Sequence, residues 1–191
     1  LVVACNTATA AAIHEVRSSH PGLPLIGLEP ALKPALAATK TGHIGVIGTR
    51  GTLTSAKFSK LMASLADQAH FVVQPCDGLA HAIEQSVALP LPTPGSVNSA
   101  KASTTATGTL CERYTQAMGS FGTAPGQIDT LVLGCTHYIF VARELRALVG
   151  PGVQFIETGE AVARHTRRVL EAAGLLYAPE SAQRVCRDAT T

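Results

Sequence analysis

Cys5 and Cys135 stand in matching settings. Residues 1–7 read Leu-Val-Val-Ala-Cys-Asn-Thr, and residues 131–137 read Leu-Val-Leu-Gly-Cys-Thr-His. In both, apolar residues lead into a small residue, a cysteine and two hydrogen-bonding side chains. Such a run predicts a buried strand that ends at the thiol and delivers the polar pair to the next loop or helix start. A free thiol has a pKa of about 8.5, which a helix N-terminus, a cation or a histidine lowers. Ligands of open parallel sheets bind beyond the carboxyl ends of the strands. One thiol there is a candidate nucleophile. Two thiols across a pocket suit a different chemistry, in which one removes a proton from a carbon and the other returns one to the opposite face. That inverts the centre without a cofactor. The competing reading is a pair of cysteines that only pack, since free Cys is among the most buried residue types.

Fewer residues elsewhere offer chemistry. His137 can tune Cys135 or act as an acid; its bland alternative is a loop histidine bonded to backbone. Thr49-Arg50-Gly51-Thr52 follows the apolar run 43–48 and offers backbone donors and two hydroxyls to an anion. It lacks the G-x-x-x-x-G-K-[ST] spacing, so no nucleotide is implied. Glu84 and Glu157 are single acids for which a solvated face is the default. Cys76, Cys111 and Cys186 lack any comparable setting and read as structural. Without a C-x-x-C pair or histidines at ligand spacing, no metal site is expected.

Composition narrows the function classes. A formal net charge of +2, no tryptophan and only 4% aromatic residues argue against a nucleic-acid surface and against an anionic membrane. No apolar run reaches the roughly 18–20 residues of a membrane span. Five scattered cysteines, an odd number, suit a reducing cytoplasm better than a disulfide framework. Nothing at the start resembles a signal peptide. The chain begins at Leu1 inside an apparent strand, so it is expected to be a fragment of a longer protein.

Strands and helices alternate along the sequence. Helices are expected from Asn6 to Pro21, over 31–38, around Phe58–Leu65, over 79–87, over 110–121, over 141–149 and from Val162 to Gly174. Strands are expected over 23–28, 43–48, 70–73, 129–134 and 153–156, with an exposed loop over 88–108, rich in Pro, Ser, Thr and Ala. This order predicts an α/β fold with mainly parallel sheets. The near-repeat of 1–7 at 131–137 points to two similar domains facing each other across a cleft.

Ala4-Cys5-Asn6-Thr7-Ala8 and Gly134-Cys135-Thr136-His137-Tyr138 resemble the two signature motifs of the glutamate racemase family. Between them, Gly48-Thr49-Arg50-Gly51-Thr52 resembles its G-T-[KR]-x-T loop. The histidine after Cys135-Thr136 favours the glutamate enzyme over aspartate racemases, which usually carry Glu there. The resemblance implies cofactor-free interconversion of L- and D-glutamate by two cysteine bases, supplying D-glutamate for peptidoglycan. It implies Cys5, Cys135 and His137 as catalytic residues. It implies Asn6, Thr7, Thr49, Thr52, Thr136 and His137 as substrate contacts, with Glu84 as a supporting acid. It implies a small-molecule substrate, a homodimer, and domains formed by 1–28 plus 157–191 and by 29–156. The sequence departs from the family pattern at Ile139, where the family has proline. The family's Asp-Ser-Gly and Pro-Tyr-Gly segments have no counterpart, so this first domain is expected to be incomplete and the fragment inactive, in contrast to its parent. Another racemase of the superfamily, for aspartate or hydantoins, and a non-catalytic binding module remain the alternatives.

Overall fold

The computed structural model describes residues 1–88 and 105–177. Cys186 and most of the expected 88–108 loop lie outside them. The flanks of that loop are helical: Ala88 closes one helix and Ala106 opens the next.

The chain forms an α/β fold with two parallel sheets. Strands β1 (Val2–Val3) and β2 (Ile26–Gly27) pair across helix α1 (Asn6–Ser19). The expected strand over 23–28 is therefore much shorter, because Pro24 cannot donate to a ladder. Helix α2 (Leu32–Ala38) leads to β3 (His43–Gly48). Pro34 sits in the first turn of α2, where no intrahelical donor is needed. Two helices follow, α3 (Arg50–Leu53) and α4 (Ala56–Ala63). Strand β4 (His70–Pro75) then leads to α5 (Leu79–Ala88). Helix α6 (Ala106–Met118) stops at Gly119, whose φ of 101° suits a residue without Cβ. Phe121, expected on that helix, instead bridges to Ile128. Strand β5 (Thr130–Leu133) runs into a 3₁₀ turn (Thr136–Val141), helix α7 (Ala142–Val149), strand β6 (Gln154–Ile156) and helix α8 (Gly159–Ala172).

The larger sheet has the order β4-β3-β5-β6. Its two central strands are buried on both faces, as their near-continuous apolar sequences require. Ile47, Leu131 and Leu133 face α5, α6 and α7, packing with Leu79, Ile83, Cys111, Tyr114 and Leu145. Ile44, Val46 and Val132 face α2 and α4, packing with Leu32, Ala35 and Phe58. Helix α8 contributes no buried residue.

One buried carboxylate organises the end of the sheet away from the thiols. Asp129 is 3% exposed. It accepts bonds from Thr39 Oγ1 (2.6 Å), Lys40 N (2.6 Å), Thr41 N (2.9 Å) and Thr130 Oγ1 (3.0 Å). Burial works to raise its pKa, but the bonds from Thr39, Lys40, Thr41 and Thr130 outweigh it and hold the carboxyl below the usual range. Its stabilising contribution is complete above the unfolded carboxyl pKa of about 3.9 and disappears as pH falls through the lower folded value. Replacing Asp129→Ala orphans two backbone N–H groups and should cost about 3 kcal/mol in urea unfolding at pH 7. Asp129→Asn should lose less stability than the parent when the pH drops from about 5 to 3.

Candidate functional site

The two cysteine segments converge although 130 positions separate their thiols. Asn6 is 4% exposed, and its Nδ2 donates to the Gly134 carbonyl at 3.1 Å. From the other side, Thr136 Oγ1 donates to the Ala4 carbonyl at 3.4 Å. The residues before Cys5 and Cys135 are thus tied to the residues after the opposite cysteine. The thiols are near enough for a charge on Cys5 to raise the Cys135 pKa. Gly134 lets the crossing be this close: its N–H donates to Ile47 O at 2.7 Å, and a Cβ there would lie 2.6 Å from that oxygen.

The thiol environments differ. Cys5 is exposed and forms the N-cap of α1, with Ala8 N–H directed at its sulfur at 3.5 Å. It lies at the positive end of a 14-residue helix. Cys135 is half-buried. Burial pushes its thiol up, the His137 backbone N–H pulls it down, and charges on Cys5 and Glu84 add to the upward push. His137 Nδ1 is 3.6 Å from Cys135 Sγ, and His137 Nε2 is 2.8 Å from Glu84 Oε1. In a neutral ring, a carboxylate accepting at Nε2 fixes the hydrogen there and turns the Nδ1 lone pair toward the thiol. The Glu84–His137–Cys135 series can accept the thiol's proton and return it.

Three hydroxyls gather beside α1. Thr7 Oγ1 lies 2.8 Å from Thr49 Oγ1 and 2.9 Å from Thr52 Oγ1, and the latter two are 3.0 Å apart. The stretch expected to be a loop is in fact Thr49 followed by α3, and this turn brings its two threonines to one side. Asn6 retains a buried Oδ1 with no hydrogen-bond partner. A cleft of about 260 Å³ opens beside Cys135 and Thr136, with Ala4, Ile139, Glu157 and Thr158 also in its wall.

All nine predicted site residues therefore fall into two joined groups: Cys5, Asn6, Thr7, Thr49 and Thr52, and Cys135, Thr136, His137 and Glu84. Glu84 came only from a loose family match; the sequence carries no local sign that a residue 53 positions before His137 would reach its ring. The structure adds the crossed carbonyl bonds, which no spacing rule reveals. Cys76 and Cys111 are buried, and burial pushes their thiols up to about 12 and about 11. Both pack in the core with Leu79, Ile83 and Tyr114. Among the described residues, no three His, Cys, Asp or Glu side chains are grouped to hold a metal ion. No helix among them is long and apolar enough to cross a membrane.

Known proteins resemble this chain in sequence and fold. The Asp/Glu/hydantoin racemase family matches residues 1–166. The glutamate racemase of Ectopseudomonas mendocina (strain ymp) is 45% identical over 170 residues, covering 89% of this chain and 57% of that protein. That of Methylococcus capsulatus is 45% identical over 176 residues, covering 92% of this chain and 58% of its own length. The chain thus spans less than two thirds of these relatives. Among solved structures, Escherichia coli glutamate racemase, in complex with L-glutamate and the activator UDP-MurNAc-Ala, superposes with a TM-score of 0.68 at 27% identity. That match covers 89% of this chain and 57% of the other. Glutamate racemase isoform RacE1 from Bacillus anthracis gives a TM-score of 0.69 at 29% identity, over 92% of this chain and 59% of the other. On a match that runs from its first residue through most of its length, the chain belongs to the Asp/Glu/hydantoin racemase family.

Proposed function

We propose that the intact protein interconverts L- and D-glutamate without a cofactor, using Cys5 and Cys135 as the two bases. The observation that carries this reading is the crossed pair of bonds, Asn6 to Gly134 and Thr136 to Ala4, which brings the two thiol-bearing segments together. The choice of glutamate is supported by the curated relatives at 45% identity, which are glutamate racemases. The role in supplying D-glutamate for peptidoglycan rests on the same kinship.

In the proposed reaction, one cysteine acts as thiolate and the other as thiol. The thiolate takes the α-proton, and the carbon's electron pair delocalises into the α-carboxylate. The neutral thiol then donates its proton to the opposite face. Each passage exchanges the protonation states of the two sulfurs, and proton exchange with solvent resets them. At Cys135, His137 backed by Glu84 supplies the local base; at Cys5, the start of α1 directs the Ala8 N–H at the sulfur.

Binding follows from the remaining groups. The hydroxyls of Thr7, Thr49 and Thr52 can turn from one another to donate to a substrate carboxylate. The orphaned Asn6 Oδ1 is an acceptor for the ammonium group. Thr136 and His137 complete the contacts from the Cys135 side. We assign residues 1–28 and 157–191 to one domain and 29–156 to the other, so that each domain supplies one thiol.

The intact protein, incubated with L-glutamate in deuterated water, should build up D-glutamate carrying deuterium at Cα. Cys5→Ala and Cys135→Ala should each lower the rate by roughly 10²–10⁴-fold, whereas Cys111→Ala should retain it. Full racemisation in both of the first two variants would dismiss the reading. An aspartate or hydantoin racemase would reveal itself by turnover of those substrates instead. On the thiols themselves, limited iodoacetamide treatment read by peptide mass spectrometry should label Cys5 and Cys135 before Cys76 and Cys111, and glutamate should slow only the first two. Equal labelling without glutamate protection would favour a binding module whose thiols merely pack.

A further inference from the structure

We infer that the Arg50–Asp77 ion pair is a positioning device, holding the helix that carries Glu84 in register with the turn that carries Thr49 and Thr52. This rests on the racemase reading of the site. Arg50 directly follows Thr49 and opens α3. Its Nε lies 3.2 Å from both carboxylate oxygens of Asp77, and its Nη2 contacts Asp77 Oδ2. Asp77 stands two residues before α5.

The same short stretch is anchored from three other directions. Tyr114 Oη donates to the Asp77 carbonyl at 2.6 Å, Tyr138 Oη donates to the Cys76 carbonyl at 3.4 Å, and Cys76 N donates to Gly48 O at 2.9 Å. These bonds fix where α5 begins within the core. Among the described residues, only the arginine fork ties that beginning to α3 by side chains of both segments. From there α5 runs as one helix to Glu84, whose carboxylate holds His137 at 2.8 Å, and His137 faces Cys135. The ion pair thereby adds a side-chain link, beside the Cys76 N–Gly48 O bond, between the turn that carries the hydroxyl cluster and the helix that carries the proton relay.

Exposure says what the pair is for. The Arg50 and Asp77 side chains are 62% and 53% exposed, so water and salt screen their attraction and little fold stability comes from it. What a guanidinium–carboxylate fork retains at the surface is direction. The hydrogen bond between them also draws the Arg50 pKa up and the Asp77 pKa down.

The test uses the intact protein, with Arg50→Gln, Glu84→Gln, their combination, and the charge exchange Arg50→Asp with Asp77→Arg. Arg50→Gln should lower kcat about tenfold with KM unchanged, since a sub-ångström misplacement of a proton-transfer group is felt in the chemical step. In the Glu84→Gln background it should cost nothing further, and the charge exchange should restore most of the loss. Nitrogen-15 spectra of labelled histidine, assigned with His137→Asn, should show the His137 ring resonances moved in Arg50→Gln. Multiplicative losses for Arg50 and Glu84, a change confined to KM, or unmoved His137 resonances would overturn the inference. Failure of the parent to racemise glutamate would count against the site reading, and the His137 resonances alone would then decide the role of the pair.

Discussion

The bond from the Asn6 carboxamide to the Gly134 carbonyl is the interaction on which the site depends. It spans 128 positions and is buried, where an unmade hydrogen bond is costly. A carboxamide at this point serves three ends. It satisfies a carbonyl at the end of the central strand. It fixes the start of α1, which Cys5 caps. It leaves its own Oδ1 buried and without a partner, the acceptor assigned above to the substrate ammonium group. Gly134 is required on the other side, because any Cβ would collide with the backbone of β3. A thiol at position 135 and a thiol at position 5 become neighbours because a glycine and an asparagine can touch.

The rest of the fold keeps that junction still. Strand β5 lies between β3 and β6, with every side chain buried, so its carboxyl end has little freedom. Tyr138 is wholly buried just after the candidate catalytic segment, and its hydroxyl reaches back to the loop before α5. Thr9, also wholly buried, receives the Leu28 N–H at 3.0 Å and so ties α1 to the chain leaving β2. At the opposite end of the larger sheet, Asp129 gathers the turn before β3. Two differently built ends result: one closed by a saturated carboxylate, the other open, with sulfur and hydroxyl groups exposed to a cleft.

Much of this was legible in the sequence, for identifiable reasons. The run His43–Gly48 and the run before Cys135 read as strands because both faces are buried and their residues are apolar without alternation. The convergence of the thiols was foreshadowed by a repeated local pattern. What could not be read depends on contacts distant in sequence or on short-range geometry that mimics a loop. Residues 49–52 looked like a loop and are the cap and first residues of the helical turn α3; Phe121 kept the helical period of α6 although Gly119 had already ended it. Ile139, in place of the family's proline, lies in a 3₁₀ turn and is 48% exposed at the cleft wall, so the turn forms without the ring. Glu84 was named by kinship alone, since only the folded chain brings α5 against His137.

The proposed mechanism requires that the two sulfurs address one carbon from opposite sides. A crystal structure of the intact protein with glutamate bound tests this most directly. Cys5 Sγ and Cys135 Sγ should lie on opposite faces of Cα, each within about 3.5 Å of it. Two sulfurs on one face, or either one out of reach of that carbon, would contradict it.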